Sequence, residues 1–300
     1  MPTPPTRRIL GVDFFIGTLD AAVELTLLAP GPLDTSSSPV TSHQSPATRC
    51  ALVVAPSAPG LAVDLVHAPA YRHALQTADL VLTDSGFMVL LWRLFTGEPL
   101  PRHSGLKFLR AVLARTELKQ PGAVFWVMPS ATEAARNEAW LRTQGFPITP
   151  DDVYIAPVYP TTGELIDHDL LTRLQKRRPR VIMLAIGGGV QERLGVALRA
   201  QLLASSLLVP SSPTTSSQLL APSDERPATS ILCLGAAIAF LTGGQTNIPP
   251  WADKLVLGWL LRLFSNPRKF WRRYWEALRL APLLWRWRER TPGAPPNQAF

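Results

Sequence analysis

Residues 181–192 read Val-Ile-Met-Leu-Ala-Ile-Gly-Gly-Gly-Val-Gln-Glu. Six consecutive apolar residues with β-branched members suit a strand buried on both faces, and the glycines that follow end it in a turn. Helical spacing then resumes over 191–203. The same alternation recurs on either side. Residues 8–14 read as an opening strand, and 51–54 (Ala-Leu-Val-Val, closed by Pro56), 80–83 (Leu-Val-Leu-Thr), 123–127, 153–155 and 231–234 as further strands. Helical stretches are expected between them at 18–28, 60–77, 87–95, 131–144 and 165–178. Uniformly apolar strands separated by helices predict an α/β fold, with a mainly parallel sheet covered by helices on both faces. Ligands bind such sheets at the carboxyl ends of the strands. Asp84 and the turn Gly187-Gly188-Gly189 both stand at such ends.

Of the 300 residues 46 % are hydrophobic, ample for a large buried core, yet 30 are proline, so part of the chain must be irregular. Residues 29–49 and 207–230 are rich in Ser, Thr and Pro without apolar periodicity and read as mobile inserts. Cys50 and Cys233 are the only cysteines, and no His or Cys has metal-ligand spacing; a disulfide framework and structural zinc are not expected. The N-terminus carries no apolar signal core, and no window is long and apolar enough to span a bilayer. A cytoplasmic protein with peripheral membrane contact is expected.

The net charge of +8 is local. Between 262 and 290 nine cations stand against Glu276 and Glu289, which leaves the rest of the chain close to neutral. Trp271, Trp275, Trp285 and Trp287 lie among those cations. Trp271 and Trp275, four apart, share a helix face with Leu278, and Arg272, Arg273 and Arg279 fall largely off it. A tryptophan face beside a cationic one describes a helix at an anionic lipid interface, or else a capping helix with a solvated basic side. Arg-Trp alternation also binds single-stranded nucleic acid, but no other basic or aromatic surface supports that, so nucleic acid is not the expected partner.

Asp84 follows a buried strand and precedes an apolar helix. It serves there either as a helix N-cap or as a general base that takes a proton from an acceptor hydroxyl. The glycine turn lets a ligand approach the backbone and leads into a helix N-terminus suited to a diphosphate. Gln191 and Glu192 are first-turn residues of that helix. Arg102 is a site cation or a surface one, and His103 beside it is read as incidental.

Taken in order, these segments resemble the WecG/TagA/CpsF family of bacterial glycosyltransferases (glycosyltransferase family 26), from about Ile9 to Tyr274. Ala78-Asp79-Leu80-Val81-Leu82-Thr83-Asp84 is similar to the family's "ADLVLPD" strand. Pro99-Leu100-Pro101-Arg102-His103-Ser104-Gly105 is similar to its "PLPxRxxG" turn. Residues 187–192 resemble "GSPKQE" and retain Gly187, Gln191 and Glu192. Residues 235–243 resemble "GAAFDFLAG". Pro249-Pro250-Trp251 and the runs 259–263 and 266–274 resemble the C-terminal signature. The resemblance implies a Rossmann-like fold with a basic amphipathic C-terminal appendage. It further implies inverting, metal-independent transfer of an N-acetylmannosamine-type sugar or related hexose from a UDP-sugar to a polyprenyl-diphosphate-linked acceptor, in cell-envelope or exopolysaccharide assembly and without a cofactor.

By position, Asp84 would be the base and Arg102 a site cation. Gly187, Gly188, Gln191, Glu192 and Ser57 would bind the donor, and Arg262, Arg268, Lys269, Arg272 and Arg273 would reach the diphosphates. The implied organisation is a core over 1–250, an appendage over 251–290 and a disordered tail over 291–300. Within the appendage, 262–273 serves site and membrane, and 278–290 anchors alone. The sequence leaves a homo-oligomer open. Departures from the pattern at Ala55, Met128, Ala239, Asn247 and Gly258 make small or apolar several positions that are polar or glycine in the family. They keep a second hypothesis alive, a catalytically reduced homologue that only binds a lipid-linked intermediate or an assembly partner.

Overall fold

A computed structural model describes residues 4–27, 50–160, 162–163, 165–207, 228–235, 237–244 and 275–293. Residues 29–49 and most of 207–230, read above as mobile inserts, lie outside the described residues, as do 245–274.

Strands β1 (Thr6–Ile9), β2 (Val12–Phe15), β3 (Cys50–Val54), β4 (Leu80–Val81), β5 (Val124–Met128), β6 (Val153–Ile155), β7 (Val181–Leu184) and β8 (Thr229–Cys233) form one eight-stranded sheet. Its order is β1-β2-β4-β3-β8-β7-β5-β6, and every pairing except β1–β2 is parallel. The α/β architecture read from the apolar runs is therefore the observed one.

Helices cover both faces because the strands alternate with period two. Ile182 and Leu184 point into one core layer with Leu52, Val54 and Ile231, while Val181 and Met183 join Val53, Trp126 and Leu232 in the other. The first layer is closed by α3 (Pro69–Thr77), α4 (Gly86–Thr96), α7 (His168–Arg177) and α8 (Val190–Leu207). The second is closed by α1 (Leu19–Leu27), α5 (Gly105–Leu113), α6 (Ala131–Thr143) and α9 (Ala237–Leu241). Helix α8 lies unusually close to the sheet at Gly195, where an added Cβ would come within 2.8 Å of Leu52 Cδ1 and 2.9 Å of Cys233 Sγ.

Three local readings change. The single opening strand is a β1–β2 hairpin, since Leu10 and Gly11 both take positive φ (52° and 76°) and reverse the chain in two residues. The helix expected over 60–77 is a π-turn (Gly60–Asp64), a short α2 (Leu65–His67) and α3, broken at Ala68, whose extended backbone (φ −113°, ψ 96°) is what a following proline imposes. Helix α5 was not anticipated, although its buried residues 105, 108, 109, 112 and 113 have helical spacing.

Helix α10 (Leu280–Trp287) corrects the reading of 278–290 as anchor alone. Leu280 and Leu284 are buried in the first core layer, and Trp287 packs against it. The chain beyond the helix crosses the β1–β2 turn, where Leu10 N–H donates to Arg288 O (2.7 Å) and Gly11 N–H to Glu289 O (3.0 Å). Among the described residues no helix is long and apolar enough to cross a membrane.

Candidate active site

Four neighbouring parallel strands, β4-β3-β8-β7, end side by side, and the segments that follow them carry Asp84, Ser57, Gly235 and the turn 187–189. The helices after β4, β3 and β7 lie on one face of the sheet, whereas α9, after β8, lies on the other. Connections that part to opposite faces open a crevice at the strand ends, the place where α/β sheets bind ligands.

Asp84 is half-buried and does not cap α4. That role falls to Ser85, whose hydroxyl accepts from Met88 N–H. The Asp84 carboxylate instead reaches the start of α5, where Oδ1 accepts from Gly105 N–H at 2.8 Å. Arg102 is brought to the same place, its Nε donating to Asp84 O at 3.5 Å. The turn that carries Arg102 is pinned from beneath: Thr83 Oγ1 donates to Pro101 O (2.5 Å) and accepts from His103 N–H (3.1 Å).

His103, read as incidental, is buried and donates from Nε2 to Gly17 O at 2.7 Å. Burial holds its pKa below the ordinary histidine value. Gly105 packs closely beside the carboxylate, with room for no more than an ordinary contact. A Cβ there would lie 3.4 Å from Ala55 Cβ and 3.7 Å from Asp84 Oδ1.

The glycine turn is braced from within. Gly187 and Gly188 are exposed, and a Cβ on either would meet nothing within 4 Å. Gly189, at φ 87°, needs glycine and precedes α8. Gln191 and Glu192 are each only 2 % exposed. Gln191 Oε1 accepts from Gly235 N–H (2.7 Å), which ties the turn after β7 to the segment after β8, and its Nε2 donates to Glu192 Oε1 (3.0 Å). Glu192 Oε2 accepts from Gly189 N–H (2.6 Å), the backward half of a capping box.

Burial pushes the Glu192 carboxyl up to about 7, opposed by the hydrogen bonds from Gln191 and Gly189 and reinforced by the charge of Asp64. The α8 N-terminus, expected to be open to a diphosphate, thus already holds a carboxyl of its own chain. Asp64, which sequence reading passed over, comes within 3.6 Å of where a Gly189 Cβ would stand. It had no signal, lying inside a stretch with helical spacing. Ser57 Oγ accepts from Gly60 N–H at 3.4 Å and so starts the π-turn that carries Asp64.

Among the predicted residues, the structure therefore gathers Asp84, Arg102, Ser57, Gly187, Gly188, Gln191 and Glu192 at one edge of the sheet. Arg262, Arg268, Lys269, Trp271, Arg272 and Arg273 lie outside the described residues. Trp275 and Trp285 are exposed. A cavity of about 540 Å³ lined by Arg110, Lys119, Trp140, Phe146 and Phe240 sits at the far end of α5 from Asp84 and contains none of the predicted residues. Among the described residues no three His, Cys, Asp or Glu side chains gather as a metal site.

A family model described as "Glycosyl transferase WecG/TagA/CpsF family" matches residues 35–210 and 212–293. No curated protein matches the chain.

Proposed function

Since the chain belongs to the WecG/TagA/CpsF family of glycosyl transferases, we propose that it moves a hexose, of the N-acetylmannosamine type or related, from a UDP-sugar to a polyprenyl-diphosphate-linked acceptor with inversion at the anomeric carbon. The reaction belongs to cell-envelope or exopolysaccharide assembly, on the inner face of the cytoplasmic membrane.

The observation that carries this reading is the meeting of Asp84, through Gly105, with the segments that end β3 and β8, to which Gln191 ties the turn after β7. The acceptor hydroxyl attacks the anomeric carbon and gives its proton to the Asp84 carboxylate. The bond from that carbon to the UDP oxygen breaks, and the electron pair leaves with UDP. Arg102 offsets the charge that grows on the diphosphate, together with Arg262, Arg268, Lys269, Arg272 and Arg273. Ser57 and the exposed backbone of Gly187 and Gly188 contact the donor. Gln191 and Glu192 hold that backbone in place from below.

The test is UDP release from a panel of UDP-sugars with a polyprenyl-diphosphate acceptor, comparing wild type with Asp84→Asn. A positioned general base contributes roughly 10²- to 10⁴-fold, so the variant is expected to lose at least about a hundredfold in turnover. Equal turnover by the two proteins removes Asp84 as the base. No release with any donor, alongside retained binding of the acceptor, leaves the reading of a homologue that binds without transfer.

A further inference from the structure

Large apolar side chains are exposed in two places among the described residues, and one of them joins two helices. Leu90 (53 %) and Leu94 (72 %) stand on the outer face of α4, while Trp275, Leu278 and Trp285 stand on the C-terminal segment. The two elements pack together: Leu91 and Leu284 share a core layer, and the Phe95 and Trp285 rings meet edge to face at 5.4 Å. Exposed Arg93 stands on α4, and exposed Arg279, Arg286, Arg288 and Arg290 on the C-terminal segment; none of the five forms an ion pair among the described residues.

We infer that α4 is half of the membrane-docking surface, with Leu90 and Leu94 entering the headgroup–acyl boundary of an anionic bilayer beside Trp275 and Trp285. The inference rests on the proposal of a lipid-linked acceptor and adds to it a part of the catalytic core. Leu90 and Leu94, one helical turn apart, join the exposed tryptophans of the C-terminal segment through the Phe95–Trp285 contact, and a contiguous exposed apolar patch of this kind marks an interaction surface. The exposed arginines on the same two elements select an anionic lipid surface as its partner, and tryptophans favour the interface itself.

Helix α4 also begins two residues after Asp84. At 1.5 Å per residue, Leu90 lies about 6 Å and Leu94 about 12 Å along the axis from Gly86. Docking through α4 therefore holds the Asp84 end of the sheet within a short, rigid reach of the headgroups, where a prenyl-linked diphosphate resides.

The experiment uses the full chain and vesicles of phosphatidylglycerol and phosphatidylcholine in about equal parts, read by co-sedimentation. The double variant Leu90→Gln/Leu94→Gln is expected to lose about tenfold or more in vesicle affinity. Its melting temperature and its turnover on a short-chain, water-soluble acceptor should stay unchanged, since both side chains already face solvent. Arg93→Glu should weaken binding to these vesicles and not to pure phosphatidylcholine.

Undiminished binding by the double variant overturns the role of α4 while the membrane reading stands. Absence of wild-type binding overturns both. Unchanged vesicle binding with a loss of dimer mass in sedimentation velocity assigns the face to a second copy of the chain and also overturns the inference.

Discussion

Asp84 Oδ1 stands 2.8 Å from the backbone nitrogen of Gly105, so the end of β4 and the start of α5 are joined through the carboxylate proposed as the base. One oxygen thus orients the group as well as stabilising the fold, and substitutions separate the two roles. Asp84→Asn keeps an oxygen for Gly105 and should unfold within about 1 kcal/mol of wild type. Asp84→Ala leaves that N–H unpaired and should cost about 1–3 kcal/mol. Urea unfolding of both variants, set beside their UDP release, makes the comparison. Asparagine must lose turnover without losing stability.

Gln191 holds two loops at once, through Gly235 N–H and the Glu192 carboxyl. Gln191→Ala removes both bonds in a site only 2 % exposed and should destabilise the protein by about 1–3 kcal/mol. It should also raise the apparent KM for the donor more than it lowers kcat, because the turn at 187–189 loses its support. Steady-state kinetics over a range of donor concentrations reads the split.

Glu192 predicts a pH dependence with a definite sign. Its carboxyl is raised from 4.5 to about 7 in the folded state. The folded protein therefore holds a proton that the unfolded chain releases, and the contribution to stability is complete below about 4.5 and is lost as pH rises through about 7. Glu192→Gln carries no titrating proton. The stability difference, wild type minus variant, should fall steadily between about pH 5 and pH 8 in urea titrations; a constant difference contradicts the buried protonated carboxyl.

The C-terminal helix separates stability from surface contact residue by residue. Leu284, 1 % exposed in the core, should cost about 2–5 kcal/mol as alanine. Trp285, 63 % exposed, should change stability by less than about 1 kcal/mol as alanine and reduce binding to anionic vesicles instead. Deleting everything from residue 265 removes both kinds of residue together. The truncated protein should therefore melt at a lower temperature as well as lose vesicle binding, which differential scanning calorimetry and co-sedimentation detect separately.

Local pattern was enough for the α/β class and for the strands that end at Asp84 and at the glycine turn. Uninterrupted apolar runs such as 181–186 have only one comfortable environment, a sheet covered on both faces. The spacing of cations among tryptophans likewise marked the C-terminus as the distinctive electrostatic feature. Tertiary structure decided what each of those residues does. Gln191 and Glu192 look like ordinary first-turn groups until β8 brings Gly235 against Gln191. Asp84 looks like a helix cap until α5 presents its own N-terminus, and the tail looks like an anchor until Leu280 and Leu284 are seen inside the core. In each case the deciding partner lies 21 or more residues away along the chain. Hydrogen bonds and burial of that kind arise from the order β4-β3-β8-β7, a long-range arrangement that periodicity, being local, cannot encode.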